Sequence, residues 1–174
     1  IHNNKMNNFK FIKNMKKLVL LSLFVVAMAT AAFAQPRAIG ARLGYGVEVS
    51  YQHSLGESNM VSAELGLPRF EGLSAAATYD WINPGGYMIP WEHKGEWNWY
   101  AGVGASVGFE GFHEIWGFGG VAGRIGVEYQ FWFPLQLSID YRPTIGVWGA
   151  YGGADFYYNG LWKGAIALSA RYVF

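Results

Sequence analysis

The sequence predicts an all-β protein: an eight-stranded antiparallel transmembrane β-barrel behind a cleavable signal peptide. Three observations predict it. The last segment alternates, with Ile166, Leu168, Ala170, Tyr172 and Phe174 on one parity and Lys163, Ala165, Ala167, Ser169, Arg171 and Val173 on the other, and it stops on an aromatic residue. A strand turns successive side chains to opposite faces, and the closing strand of a membrane barrel needs one apolar face. The N-terminal part carries the signature of secretion. The rest is rich in glycine (24 in the chain) and aromatics (18%), and no run after the signal is long and apolar enough for a spanning helix.

The signal is read first. Lys16 and Lys17 precede an uncharged run from Leu18 to Ala29, followed by Ala32-Phe33-Ala34 and Gln35. This is a basic region, an apolar region and a small-x-small cleavage site. Cleavage is expected between Ala34 and Gln35, with Met15 as the natural start. Residues 1–34 are therefore a signal peptide with an upstream extension, and 35–174 the barrel. Five of the 13 Lys and Arg residues precede Gln35 and no acid does, so residues 35–174 carry eight basic residues against 12 acidic ones, a formal charge of −4. No basic patch remains to argue for nucleic acid. There is no cysteine, which excludes disulfides, thiol catalysis and a lipid anchor on cysteine.

The strands follow in order. From Ile39 to Tyr51 the odd positions are apolar or small and the even ones are Gly, Arg, Glu, Ser or Gln. Ser54–Asn59 reads as a turn. Val61–Leu67 alternates, then Leu73–Trp81 after a turn at Arg69–Gly72. Asn83–Gly95 contains Asn-Pro-Gly-Gly, a strong turn signal. Trp97–Phe109 and Val121–Phe131 alternate on either side of a loop at Glu110–Phe118. Leu135–Tyr141 follows a tight turn at Trp132–Pro134, and a loop at Gly149–Gly160 leads to the last strand. These are seven blocks, whereas bacterial barrels have even strand numbers. Splitting the first block at Gly44-Tyr45-Gly46 gives eight, since glycine permits a tight hairpin. One long first strand is the alternative. With the C-terminus and the Trp132–Pro134 turn on the periplasmic side, the N-terminus lies there too.

The two faces predict the interior and the exterior. The inward parity carries Arg42, Arg124, Arg142, Lys163 and Arg171 against Glu48, Glu64, Asp80, Glu128 and Asp140. An eight-stranded barrel is just wide enough for side chains to fill, and buried charges must pair. A plugged, charge-balanced lumen is expected. Register about the Trp132–Pro134 turn sets Gln130 near Gln136 and Arg124 near Arg142 or Asp140, so Asp140 is expected to bridge those two arginines. Trp81, Trp97, Trp99, Tyr129, Phe131 and Trp132, with Phe133, Tyr172 and Phe174, fall at strand ends on the periplasmic side and predict one aromatic girdle.

Several stretches resemble a known family. Ala38-Ile39-Gly40-Ala41-Arg42-Leu43-Gly44, Tyr51-Gln52-His53 with Gly56, Gly123-Arg124-Ile125-Gly126-Val127-Glu128-Tyr129 and Phe133–Pro143 are similar to small Gram-negative outer-membrane barrels of the OmpA/OmpX-type, opacity-like superfamily, in particular to uncharacterised members. Arg171-Tyr172-Val173-Phe174 completes the likeness. The resemblance implies an outer-membrane location, lipid and the barrel-assembly machinery as partners, and Phe174 with Tyr172 as the C-terminal assembly signal. It implies no single activity. The expected function is a structural or surface-exposed barrel, not an enzyme, with no cofactor and no metal. The alternatives are a narrow pore for small or hydrophobic solutes and a lipid A-modifying enzyme. The latter needs a serine, a histidine base and an acid held together. Of His53, His93 and His113, only His113 falls on an outer loop, beside Glu110 and Glu114, and it reads as a solvated residue rather than a base or a metal ligand.

Overall fold

A computed structural model describes residues 37–86, 89–90, 94–111, 115–150, 153–159 and 164–174. The expected signal peptide, His93, His113, Glu114 and Lys163 lie outside the described residues. Ten strands run in chain order: β1 Arg37–Leu43, β2 Gly46–Ser54, β3 Asn59–Pro68, β4 Gly72–Ile82, β5 Glu96–Glu110, β6 Trp116–Gln130, β7 Leu135–Tyr141, β8 Thr144–Ala150, β9 Gly153–Asn159 and β10 Ile166–Val173. Neighbours pair antiparallel in the order β5-β4-β3-β2-β1-β10-β7-β6-β8-β9, and β5 also pairs β6. That last pairing closes a ring of eight strands. β7 and β8 share one register along β6, interrupted at Arg142–Pro143, so they act as the two halves of one wall strand.

The ring has a measurable stagger. From Ile39, registered partners lead through Tyr51, Ala63, Ala77, Ala105 and Val121 to Ile145. In the other direction they lead through Tyr172 to Leu135. The two arrivals lie ten residues apart on one wall strand, which is the shear of the barrel. Eight strands with that shear tilt by about 40° and enclose a cylinder of about 8 Å radius. Such an interior has room for side chains and little else.

The first block is two strands. Gly44 N–H donates to the Gly46 carbonyl at 3.0 Å, and β1 pairs β2 from Arg37↔His53 to Leu43↔Val47. The glycines serve close approach rather than unusual dihedrals. Neither Gly44 nor Gly46 has a positive φ, and a Cβ on Gly46 would collide with the Leu67 carbonyl. The expected loop at Gly149–Gly160 is corrected: a hairpin of β8 and β9 stands there, pairing with β6 through Ala122↔Thr144 and Gly117↔Gly149. Gly146, Gly149 and Gly153 erase the alternation that would have shown it. The expected loop at Glu110–Phe118 is also shorter, because β5 runs through Glu110 and β6 begins at Trp116.

One end of the barrel, here the upper, holds the connections 44–45, 69–71, 111–115 and 151–152. The lower end holds 55–58, 83–95, 131–134 and both ends of the described chain. The longest connection therefore sits at the lower end. Among the described residues β9 pairs only β8, and β10 meets β1 no higher than Leu43↔Leu168. Above that point the described residues leave a notch in the wall between β9 and the β1–β2 turn.

The outside of the barrel is apolar. Ile39, Val49, Leu65, Val103, Val121, Ile125, Leu168 and their neighbours on the outward parity are all exposed, Val121 by 66%. Such a continuous belt exceeds what soluble monomers expose. Aromatics bound it at two levels. Trp81, Trp97, Trp99, Tyr129, Phe131, Trp132 and Phe133 lie low, with Tyr172 and Phe174 stacked at 6.3 Å, while Phe70, Phe109, Phe156 and Tyr158 lie high. On β5, Trp97 and Phe109 are separated by about 30 Å along the barrel axis at this tilt. Only the lower level was expected from the sequence.

Candidate functional site: a charged lumen and an upper pocket

Even-numbered positions of β1 to β8 and odd-numbered positions of β10 point inward, and the buried set is largely polar. Arg42, Glu64, Asp80, Arg124, Glu128, Asp140 and Arg171 are each at most 4% exposed, and Ser50, Ser62, Thr78, Gln136 and Ser138 are buried among them. Seven of the expected charges make one cross-lumen network. Arg42 Nη2 donates to Asp140 Oδ1 at 2.6 Å, its Nε to the same oxygen at 3.0 Å, and its Nη1 to Glu48 Oε2 at 2.7 Å. Arg142 Nη2 donates to the other Glu48 oxygen at 2.6 Å, and its Nη1 lies 3.0 Å from Glu64 Oε2. Arg124 sits among Glu64, Asp80 and Asp140 at 3.2, 3.3 and 3.4 Å. Ser62 and Thr78 hydroxyls donate to Asp80 Oδ2 at 2.7 and 3.0 Å. The network ties strands from every quarter of the ring.

The bridge at Asp140 is real but its partner is corrected. Asp140 joins Arg124 to Arg42, not to Arg142, which Glu48 and Glu64 take instead. Register explains the exchange. Arg42 reaches Asp140 across β10, where Ser169 on β10 faces Arg42, while the break at Arg142–Pro143 turns Arg142 toward β2 and β3. Glycines make space for the plug. A Cβ on Gly126 would fall 2.5 Å from the Tyr100 ring and 2.8 Å from Asp140 Cβ. Tyr100, wholly buried, lies under the Arg124 guanidinium at 5.0 Å. Its place is not marked in the sequence, since a tyrosine on a polar parity carries no charge signal.

The lower lumen is built differently. Arg171 donates from Nε to Ser50 at 2.9 Å and from Nη1 to Ser138 at 2.8 Å, and Gln136 Nε2 donates to Glu128 at 2.8 Å. Among the described residues neither Arg171 nor Glu128 makes a direct ion pair. Gln52 Nε2, Gln136 Oε1, Ser169 Oγ, Arg171 Nη2 and the Tyr100 hydroxyl have no protein partner. Buried polar groups of this kind are ordinarily satisfied by internal water. Lys163, the tenth expected lumen charge, lies outside the described residues.

Above the network lies a small pocket of about 50 Å³. Arg42, Glu48 and Arg142 form its floor. Ser74, Ser106, Glu110, Phe118, Thr144 and Tyr157 form its walls, and Gly44, Tyr45, Gly46, Pro68, Gly164 and Ala165 line the notch side. Phe118 and Tyr157 stack at 4.7 Å, with Trp116 edge-on to Trp148 at 6.0 Å beside them. The Tyr45 hydroxyl is shared between Glu110 and Arg69 at the rim. That bond, followed by Glu71, holds the exposed Arg69 guanidinium above its ordinary pKa.

Among the described residues there is no group of three or more metal-ligating side chains. His53 is bonded to the Tyr51 hydroxyl at 3.4 Å, near the lower end and on the outward parity, remote from the upper pocket. The chain matches no family model, no curated protein and no solved structure. The closed eight-stranded antiparallel barrel is compatible with an OmpX-type fold, and the superfamily itself rests on the residue likeness alone.

Proposed function

We propose that this protein is a structural outer-membrane barrel of the OmpA/OmpX type whose lumen is sealed, so that it occupies and braces the membrane without conducting. The buried network carries the reading. Four arginines and five acids cross a lumen of about 8 Å radius, and opening a path would separate at least two buried pairs, each break costing about 3–5 kcal/mol. The apolar belt between two aromatic levels supports the membrane location, because an outer-membrane barrel presents a band of about 25 Å between aromatic girdles. With Phe174 at the periplasmic side, the upper end faces outward. Its connections are short, which favours a bracing role over an adhesive one. In this role Phe174 and Tyr172 present the assembly signal, and lipid and the barrel-assembly machinery are the partners.

Single-channel recording in planar bilayers tests the seal. Purified, heat-modifiable protein is expected to leave the bilayer silent. Stepwise conductance would favour the narrow-pore reading. Fractionation of cells tests the location, and recovery as a soluble periplasmic protein would refute it.

A further inference from the structure

We propose that the outer wall holds one anionic glycerophospholipid of the lower leaflet, with an acyl chain in a groove across β1, β10, β7 and β6 and its phosphate at Lys94. This rests on the membrane location proposed above. The groove follows from register. One outward row reads Ala41, Ala170, Leu137, Tyr129 and Trp97, each facing the next across a strand pairing. The row above it carries Leu43 and Leu168, and the row below it Tyr172. Two alanines therefore lie between longer side chains, and the wall is recessed there by about 460 Å³. A second recess of about 320 Å³ adjoins it over Gly126, sharing Val127 and Ile139. Both fall in the size range of small-ligand sites.

Shape and chemistry name the occupant. The outward lining of both recesses is aliphatic and aromatic, and Ser138, Ser169 and Asp140 border them only from the inward, buried parity. The part of the ligand held there is hydrocarbon. A second copy of the chain would bring another convex wall, which leaves a recess unfilled and forfeits dispersion contacts. A flexible alkyl chain fills it. The charge is supplied at the low end of the row. A Cβ on Gly95 would fall 2.7 Å from the Tyr129 hydroxyl, so the tip of that ring reaches the residue next to Lys94. Lys94 is exposed, and its Nζ lies 5.8 Å from the centre of the Trp132 ring. Among the described residues it makes no ion pair. Glu96, two residues on, falls on the inward parity of β5. A lysine at the aromatic level of a membrane attracts anionic headgroups.

Native mass spectrometry tests the site. The folded protein is titrated in detergent with phosphatidylglycerol or phosphatidylcholine of the same acyl chains, then released from the micelle. One retained phosphatidylglycerol per chain is expected, held about fivefold more tightly than phosphatidylcholine, since a single lysine supplies the preference. Ala170→Phe fills the recess, removes on the order of ten carbon contacts with the acyl chain, and is expected to weaken retention of both lipids about tenfold. Lys94→Gln is expected to keep retention of both and abolish the preference. Ala77→Phe, on the outward face of β4, is the control and should change neither. Each variant is first checked for heat-modifiable mobility. Insertion of the wild type into phosphatidylcholine vesicles tests the membrane location by itself. Failure to insert refutes the location and the site with it, whereas insertion without a retained lipid overturns the site alone. Equal retention of the two lipids by the wild type, undiminished retention by folded Ala170→Phe, or a preference that survives Lys94→Gln would each overturn the proposal. A lipid-free dimer would overturn it in favour of a second copy.

Discussion

Removing Arg124 should harm the barrel more than removing Asp140, although each deletes one charge from the same network. Arg124 touches three carboxylates, those of Glu64, Asp80 and Asp140, and is 3% exposed. Arg124→Ala leaves three acids facing one another with no cation between them. Asp140→Ala leaves Arg42 on Glu48, and Arg124 on Glu64 and Asp80. It also removes an acid from a lumen where five described acids face four arginines. Breaking a buried pair from one side costs about 3–5 kcal/mol. Arg124→Ala is therefore expected near the top, about 5 kcal/mol, and Asp140→Ala near the bottom, about 3 kcal/mol. Urea unfolding in lipid vesicles, followed by tryptophan fluorescence and by the heat-modifiable gel shift, measures both. At an m-value of about 2 kcal/mol/M, the two midpoints should differ by about 1 M. Glu57→Ala, on the exposed 55–58 turn, is the control and should change stability by no more than about 0.5 kcal/mol. Equal costs for the two lumen variants, the reverse order, or values indistinguishable from Glu57→Ala would refute the account of the network.

Val103→Arg places a charge midway between the two aromatic levels on the outward face. In lipid it should cost about 2–4 kcal/mol, whereas an effect below about 0.5 kcal/mol would mean that this face meets water. Gly126→Ala pushes a methyl against Tyr100 and Asp140 and should destabilise by about 1–3 kcal/mol; Gly153→Ala, with nothing within 4 Å of the added carbon, should be nearly silent in the same unfolding assay. Phe174→Asp should lower the amount of folded protein in the outer membrane while leaving the unfolding midpoint of the surviving protein close to wild type. Unchanged levels on heat-modifiability gels would remove the terminal aromatic from the assembly reading.

The strands were legible where one residue in two was apolar. The block Trp97–Phe109 and the final Ile166–Val173 show it, because an apolar outer face and a polar interior impose period two on the side chains. The β8–β9 hairpin was not legible. Four glycines in Gly146–Gly153 interrupt the pattern, and a glycine belongs to neither face. The charged members of the lumen were legible from parity, but their pairing was not. Arg42 and Asp140 are 98 residues apart, and whether they meet depends on the ten-residue shear, which no local pattern encodes. Glu48 shows the same limit. It faces Arg42 in register, yet it also holds Arg142 from across the barrel. Tyr100 was invisible for another reason: its place under Arg124 depends on the absence of a side chain at Gly126.

Ring closure has a consequence for how the chain can be cut and rejoined. The closing seam pairs Ala38 with Val173 and Leu43 with Leu168, so the two ends of the barrel sequence lie side by side, one strand spacing of about 4.8 Å apart. These contacts span nearly the entire domain, and contacts of that separation are the slowest to form. A short turn joining Phe174 to Arg37, with the chain reopened at 69–71, would turn the seam into an ordinary hairpin and move the slow step to β3 and β4. The permuted protein would have the same wall, the same stagger and the same interior charges, but a different last strand to dock.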